Sequence, residues 1–278
     1  MNIAISGSNG YLGKRIRNSL IKEGYKTIGL CRNPRHKDDF KFALNGDLIN
    51  DQIFKKNKVD AFIHCAWDLG NLNENQSYKI NVIGSKKILD EAVKSGVKKI
   101  IFISSMSAYE NCESIYGKHK LEIENYYLKE NASIIRPGLI WGNKKNGGMY
   151  KKLDDASKLP ILNPVISSRK QRLFLIHEED LIRFIKKELK TKKNRSSIST
   201  IANPKPFTLK EIMHICQVKN GKKALLIPIP WQIVWLILKI AEAIRIPAPF
   251  KSDSLIGLVK HNPNPIFSRF VKHCRAFK

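Results

Sequence analysis

The chain opens with NIAIS, which reads as a short buried strand, and runs at once into GSNGYLG, where Gly7, Gly10 and Gly13 stand three apart. An amphipathic segment, 11–24, follows and stops at Gly24. Strand, glycine turn and helix in that order restrict the fold more than any other feature here. Glycine permits the tight turn and lets another group approach the backbone, and the amides at a helix N-terminus attract negative charge. The spacing is Gly7-x-x-Gly10-x-x-Gly13 and not G-x-G-x-x-G, so the triplet alone is weak evidence. Its place between a strand and a helix favours a bound dinucleotide over a purely structural turn.

The alternation continues. Segments 25–32, 41–48, 59–66, 98–105 and 132–137 read as strands, and 51–56, 74–96 and 114–130 as helices, the second of these ending at Gly96. Continuously apolar strands separated by amphipathic helices predict an α/β fold, a doubly wound parallel sheet covered on both faces.

The end of the second strand bears on the cofactor. A fold that selects NAD usually places an acid there for the ribose 2′-hydroxyl, whereas this chain has Cys31-Arg32, then Arg35 and Lys37, with no acid before Asp38. Arginine suits a 2′-phosphate, so NADP is expected ahead of NAD; Lys14 and Arg15 are also within the reach of such a group. Farther along, Tyr116 and Lys120 lie four apart in a predicted helix and project from one face. A tyrosine with an ordinary pKa of about 10 is a poor base near neutrality, and a neighbouring ammonium favours its phenolate. Ser105, at the end of the preceding strand, can hydrogen-bond the same substrate oxygen.

These residues resemble the extended short-chain dehydrogenase/reductase family, the group of nucleotide-sugar epimerases, dehydratases and ketoreductases. The similarity runs through GSNGYLG (7–13), NGDL (45–48), HCAW (64–67), NVIG (81–84), SSMSAY (104–109), YGKHK (116–120), RPGLIWG (136–142) and IHEEDL (176–181). It implies a Rossmann-type sheet of about seven parallel strands with a smaller C-terminal substrate lobe. The expected division is 1–145 with 169–203 for the dinucleotide and 146–168 with 204–278 for the substrate. By the same resemblance Tyr116, Lys120, Ser105 and Asn81 are the catalytic candidates, Asn81 as a structural or proton-relay residue. Gly7, Asn9, Gly10, Tyr11, Leu12, Gly13, Arg32, Asp47, Leu48, Cys65, Ala66, Ser104, Pro137 and Gly138 would line the cofactor, with Tyr116 and Lys120. Trp67, Ser105, Ser107, Arg169 and Arg172 would face the substrate, and His177 and Asp180 are expected to be structural.

The resemblance also narrows the reaction. Dehydratases and decarboxylases of the group carry a carboxylate just after the catalytic Ser or Thr, whereas here Ser105 precedes Met106, Ser107 and Ala108. Ser107 stands where an epimerising branch has cysteine. Hydride chemistry at one carbinol or ketone carbon remains, and Arg32 tilts the reading to an NADPH-dependent reductase of a nucleotide-linked keto sugar. A nucleotide-sugar 4-epimerase and a non-catalytic dinucleotide-binding protein stay open as alternatives.

Composition fits a globular protein, with 278 residues, 42% of them hydrophobic and 27% charged. The net charge of +26, from 50 Lys and Arg against 24 Asp and Glu, is the unusual number. The cations are dispersed, densest in KKELKTKKNR (186–195), with no nucleic-acid-reading motif, so no nucleic-acid partner is expected. A solvated surface, or weak peripheral attraction to an anionic membrane, accounts for them. Five separated cysteines with no CxxC pair indicate neither a zinc site nor a disulfide framework, and no other metal site is expected. Without a secretory pattern at its start, the chain is expected to be cytoplasmic, and as a homodimer. In WQIVWLILKIAEAIRIP (231–247) the polar residues Gln232, Lys239, Glu242 and Arg245 form a narrow helical stripe shared with Trp235. The segment is too short and too charged for a span; core, dimer packing or an interfacial helix are its possible roles. A basic, proline-broken stretch, 260–278, follows.

Overall fold

The computed structural model describes residues 1–46, 52–70, 72–142, 148–168, 171–191 and 196–278. In chain order the elements are β1 (Asn2–Ser6), α1 (Tyr11–Lys22), β2 (Lys26–Cys31), β3 (Asp39–Lys41), α2 (Ile53–Lys56), β4 (Ala61–His64) and α3 (Glu74–Ser77). A π-helical stretch, Tyr78–Ile83, leads into α4 (Gly84–Lys94), β5 (Lys99–Ile103), α5 (Ile115–Lys129), β6 (Ser133–Pro137), β7 (Leu139–Trp141), α6 (Met149–Ala156) and β8 (Leu162–Ser167). Then come β9 (Leu173–His177), α7 (Glu178–Lys190), β10 (Ser197–Ile201), β11 (Pro206–Phe207), α8 (Leu209–Lys219), β12 (Leu225–Pro230), α9 (Trp231–Ala243) and α10 (Ser252–Val259).

The chain forms two compact units, one of residues 1–105, 119–136 and 181–199, the other of 106–118, 137–180 and 200–278.

In the first unit, the described residues form a seven-stranded sheet in the order β10-β6-β5-β4-β1-β2-β3, parallel through β6, β5, β4, β1, β2 and β3. The strand order reverses beside β1, the switch point at which such sheets open a crevice at their carboxyl ends. β4 and β5 are buried along their whole length, which is why they read as unbroken apolar runs. Phe62, Phe102, Tyr127 and Ile134 lie at the centre of this unit's core. The second unit holds a three-stranded sheet, β11-β9-β7, and a two-stranded parallel sheet, β12-β8, around a core that includes Tyr150, Leu175, Ile212 and Phe277.

Two elements depart from expectation. The strand foreseen at 41–48 is instead β3, Asp39–Lys41. Its first residue is tied down: the Asp39 carboxylate pairs with Arg17 and accepts the amides of Arg35 at 2.8 Å and His36 at 3.0 Å. The single helix expected over 74–96 is interrupted by the π turn, for a reason seen at Asn81 below.

Candidate active site

The glycine turn is built by close approach. Gly7 has φ +69°, and a Cβ there would lie 2.9 Å from the Ala66 Cα, so the turn rests on the chain leaving β4. A Cβ on Gly13 would overlap the Gly7 carbonyl oxygen, which holds α1 hard against the turn. Gly10 is the exposed N-cap of α1 and gives its amides no side-chain cap. Asn9 is turned the other way, its amide donating to the Asn33 carbonyl at 2.6 Å and to Cys31 Sγ at 3.2 Å. A helix start with bare backbone beside a glycine cradle fits a pyrophosphate, so these residues suit a dinucleotide. Tyr11 and Leu12 open α1 at the same end.

At the end of β2, Arg32 is largely exposed, and its Nη1 lies 3.4 Å from the Asp68 carboxylate. An acid therefore reaches this corner after all, from the loop beyond β4 and not from β2 itself. Burial pushes the Asp39 carboxyl up, but the Arg35 and His36 amides and Arg17 outweigh it, so the group sits below its ordinary value.

Asn81 explains the π turn. It is fully buried; its Oδ1 accepts the Asp68 amide at 2.7 Å, and its Nδ2 donates to the Asp68 carbonyl at 3.1 Å. Both ends of its amide grip one backbone unit, which fixes the loop carrying Ala66 and Trp67. Insertion of a residue into a helix is a common way to aim a side chain at a site. Gly84 then lets α4 approach Leu44, whose carbonyl a Cβ would overlap.

Beneath this loop, Lys120 is 3% exposed. Its Nζ donates to the Ile103 carbonyl at 2.9 Å and lies 4.2 Å from the centroid of the Trp67 ring. Burial pushes its ammonium down to about 7, against the pull of Cys65 and Glu124. Burial likewise pushes the Cys65 thiol up to about 12, so Cys65 lines the turn as an inert group. His64 packs against both Phe102 and Tyr127, whose rings also touch each other, and is hydrogen-bonded to Ser6 and Ser85 at 2.6 and 2.8 Å. Burial, with the Lys120 charge, takes it down to about 3, so it is a neutral core residue.

Tyr116 and Lys120 lie one turn apart on α5. The start of that helix is held from far away in sequence: Asp253, on α10, accepts the Ile115 amide at 2.7 Å and the Tyr116 amide at 3.0 Å. Gly117 lets the helix touch the Ser107 carbonyl, which a Cβ would overlap. One turn beyond Lys120, the Glu124 side chain is fully buried and accepts Arg136 Nε at 2.9 and 3.1 Å, the Arg136 Nη2 and the Ser104 hydroxyl. This clamp joins α5 to the ends of β5, where Ser105 follows, and of β6. Glu124, Asp253 and the role of Arg136 were not foreseen from sequence; the four-residue step from Lys120 to Glu124 was the available signal.

In the second unit, Gly138 sits where a Cβ would overlap the Phe174 carbonyl, and the Pro137 carbonyl accepts the Met106 amide at 3.1 Å. Ser107 Oγ lies on the side of Gly257, and Arg172 lies over the Phe174 ring at 5.6 Å. His177 packs on Trp141 at 4.5 Å, and the Asp180 carboxylate accepts the Arg275 amide at 2.7 Å. Asp47, Leu48 and Arg169 lie outside the described residues.

Residues 3–132 match the NAD dependent epimerase/dehydratase family. The chain is 25% identical over 283 residues to the UDP-glucose 4-epimerase of Halalkalibacterium halodurans, covering 84% of this chain and 83% of that one. It is 26% identical to the CDP-abequose synthase of Salmonella muenchen over 77% of this chain and 78% of the relative. Its fold is similar to that of MoeE5 in complex with UDP-glucose and NAD, with a TM-score of 0.72, 16% identity and coverage of 83% and 85%. In these residues the chain is thus similar to NAD(P)-dependent enzymes of the nucleotide-sugar epimerase, dehydratase and reductase kind.

Proposed function

We propose that this enzyme performs hydride chemistry at one carbon of a nucleotide-linked sugar, and that its net reaction is NADPH-dependent reduction of a keto group. The observation that carries the reading is α5, where Tyr116 and Lys120 stand one turn apart, with Lys120 buried and anchored on Ile103. When bound, the reduced dinucleotide supplies a hydride to the keto carbon and leaves oxidised. Tyr116 gives its hydroxyl proton to the carbonyl oxygen, completing the alcohol. Lys120 stabilises the phenolate that remains, and the Ser105 hydroxyl orients the oxygen and shares its developing charge. Ser107 in place of a carboxylate gives this reading no group for elimination.

NADP over NAD rests on Arg32, the exposed cation at the end of β2. A 4-epimerase is the second reading. It is favoured by the name of the Halalkalibacterium halodurans relative and by Asp68, an acid close enough to Arg32 to hold it. Turnover separates the two: a reductase consumes NADPH stoichiometrically with a nucleotide 4-keto sugar, and an epimerase interconverts two nucleotide sugars with no net change in cofactor. Tyr116→Phe should abolish either reaction by several orders of magnitude while leaving dinucleotide affinity within a few-fold, as read by fluorescence titration. Near-normal turnover in that variant would remove the mechanism, and tighter binding of NADH than NADPH would remove the cofactor assignment.

A further inference from the structure

The segment 231–247 does not behave as its polar stripe suggested. Glu242 turns inward, accepting the Ser252 amide at 2.7 Å and the Ser252 hydroxyl at 2.9 Å. Trp231, Val234, Trp235 and Leu238 pack on Leu255, Val259 and Phe250. This fixes α9 by one apolar face and turns a second apolar face outward. Ile233, Leu236, Ile237, Ile240 and Ile244 are each more than half exposed, at 51, 56, 59, 53 and 61%. Their spacing follows a single helical stripe. β12 runs directly into α9, and there Leu225 and Ile227 are exposed, paired in register with Leu162 and Pro164 of β8.

We propose that this face, α9 with the outer side of β8 and β12, docks the enzyme on an anionic lipid bilayer. Contiguous exposed apolar side chains of this kind mark a surface that meets something apolar. Charge selects the occupant. Between 222 and 251 there are five basic residues, Lys222, Lys223, Lys239, Arg245 and Lys251, and one acid, Glu242, which is already engaged by Ser252. Residues 252–278 add five more cations and one acid, Asp253, which is engaged by the Ile115 and Tyr116 amides; of the five, Lys260 pairs with Glu113 and Arg275 with Glu179, which leaves Arg269, Lys272 and Lys278. A second copy of the same face would bring these cations against one another. An anionic bilayer instead offers acyl chains to the stripe and headgroups to the lysines, as for a helix lying in the interface plane. No helix of the described residues is long and apolar enough to cross a membrane, so the contact is peripheral.

The test is flotation of the full chain with vesicles of phosphatidylcholine containing phosphatidylglycerol, and with phosphatidylcholine alone. The chain should float with the anionic vesicles at low salt, and less as salt screens charges beyond about 8–10 Å. Leu236→Glu with Ile237→Glu should lower the bound fraction at least about tenfold, because carboxylates replace the buried stripe. Lys222→Glu with Lys223→Glu should weaken binding to anionic vesicles while the variants keep wild-type circular dichroism. For the unaltered chain, hydrogen exchange should slow in α9 when anionic vesicles are present. Absence of flotation with anionic vesicles overturns the proposal, as does unchanged exchange in α9. So does self-association in sedimentation velocity that the α9 variants abolish in a chain that binds no vesicles.

Discussion

Arg136 and Glu124 offer the sharpest perturbation of the helix that carries the catalytic candidates. The Glu124 side chain is fully buried and that of Arg136 is 15% exposed. Removing one partner of such a pair leaves an uncompensated charge, at a cost of about 3–5 kcal/mol. Arg136→Met strands the Glu124 carboxylate with only the Ser104 hydroxyl as donor. Glu124→Leu strands the guanidinium and also leaves the Ser104 hydroxyl without its acceptor, adding about 1–3 kcal/mol. The double variant removes both charges of the pair, so its loss should be only about 1–3 kcal/mol, mostly that of the serine. The two single changes are thus strongly non-additive, as expected for groups in one network. In a chain of this size each kcal/mol lowers Tm by about 2–4 °C, so Arg136→Met should melt about 6–20 °C below wild type and Glu124→Leu about 8–32 °C. Calorimetry of the three variants supplies the cycle. Single losses under about 1 kcal/mol, or a double variant as unstable as the sum, would refute the clamp. Because Ser105 directly follows Ser104, kcat of the double variant should also fall, with dinucleotide KM little changed.

Three further outcomes follow from contacts described above. Gly13→Ala forces a methyl into the Gly7 carbonyl, so stability should drop by about 1–3 kcal/mol and dinucleotide titration should show weaker binding. Asp253→Ala removes the carboxylate that accepts the Ile115 and Tyr116 amides; it should cost about 1 kcal/mol as a lost cap and lower kcat more than it raises KM. Thermal unfolding of the ligand-free chain against pH should show two windows. His64, held at about 3 against an ordinary 6.5, makes the unfolded chain take a proton first, so stability is lost as pH falls from 6.5 toward 3. Lys120, held at about 7 against 10.5, is protonated longer in the unfolded chain, so stability rises across that window. Each slope is at most about 1.4 kcal/mol per pH unit. Lys120→Met should flatten the upper rise, and an unchanged slope in that variant would sink the assignment.

The sheet and its order of elements were legible because burial on both faces writes itself into sequence as unbroken apolar runs, as in β4 and β5. The glycine turn was legible because glycine is required there by close approach, at Gly7 and Gly13. What stayed hidden depends on partners far along the chain. The residues of Tyr78–Ile83 keep helical periodicity, and only the grip of Asn81 on the Asp68 backbone selects the π turn. The second apolar face of α9 was masked because its polar residues do not mark the outside: Glu242 is consumed by Ser252, and the outward stripe is as apolar as the inward one. Asp253 is the extreme case. It stands 138 residues from the amide it caps at Ile115, on a helix with a sequence role of its own as an acid in the first turn of α10. A hydrogen bond from a backbone amide to a single side chain leaves no periodic trace, so the residue that fixes the start of the helix carrying the catalytic candidates can be recognised only once the chain has brought the two helices together.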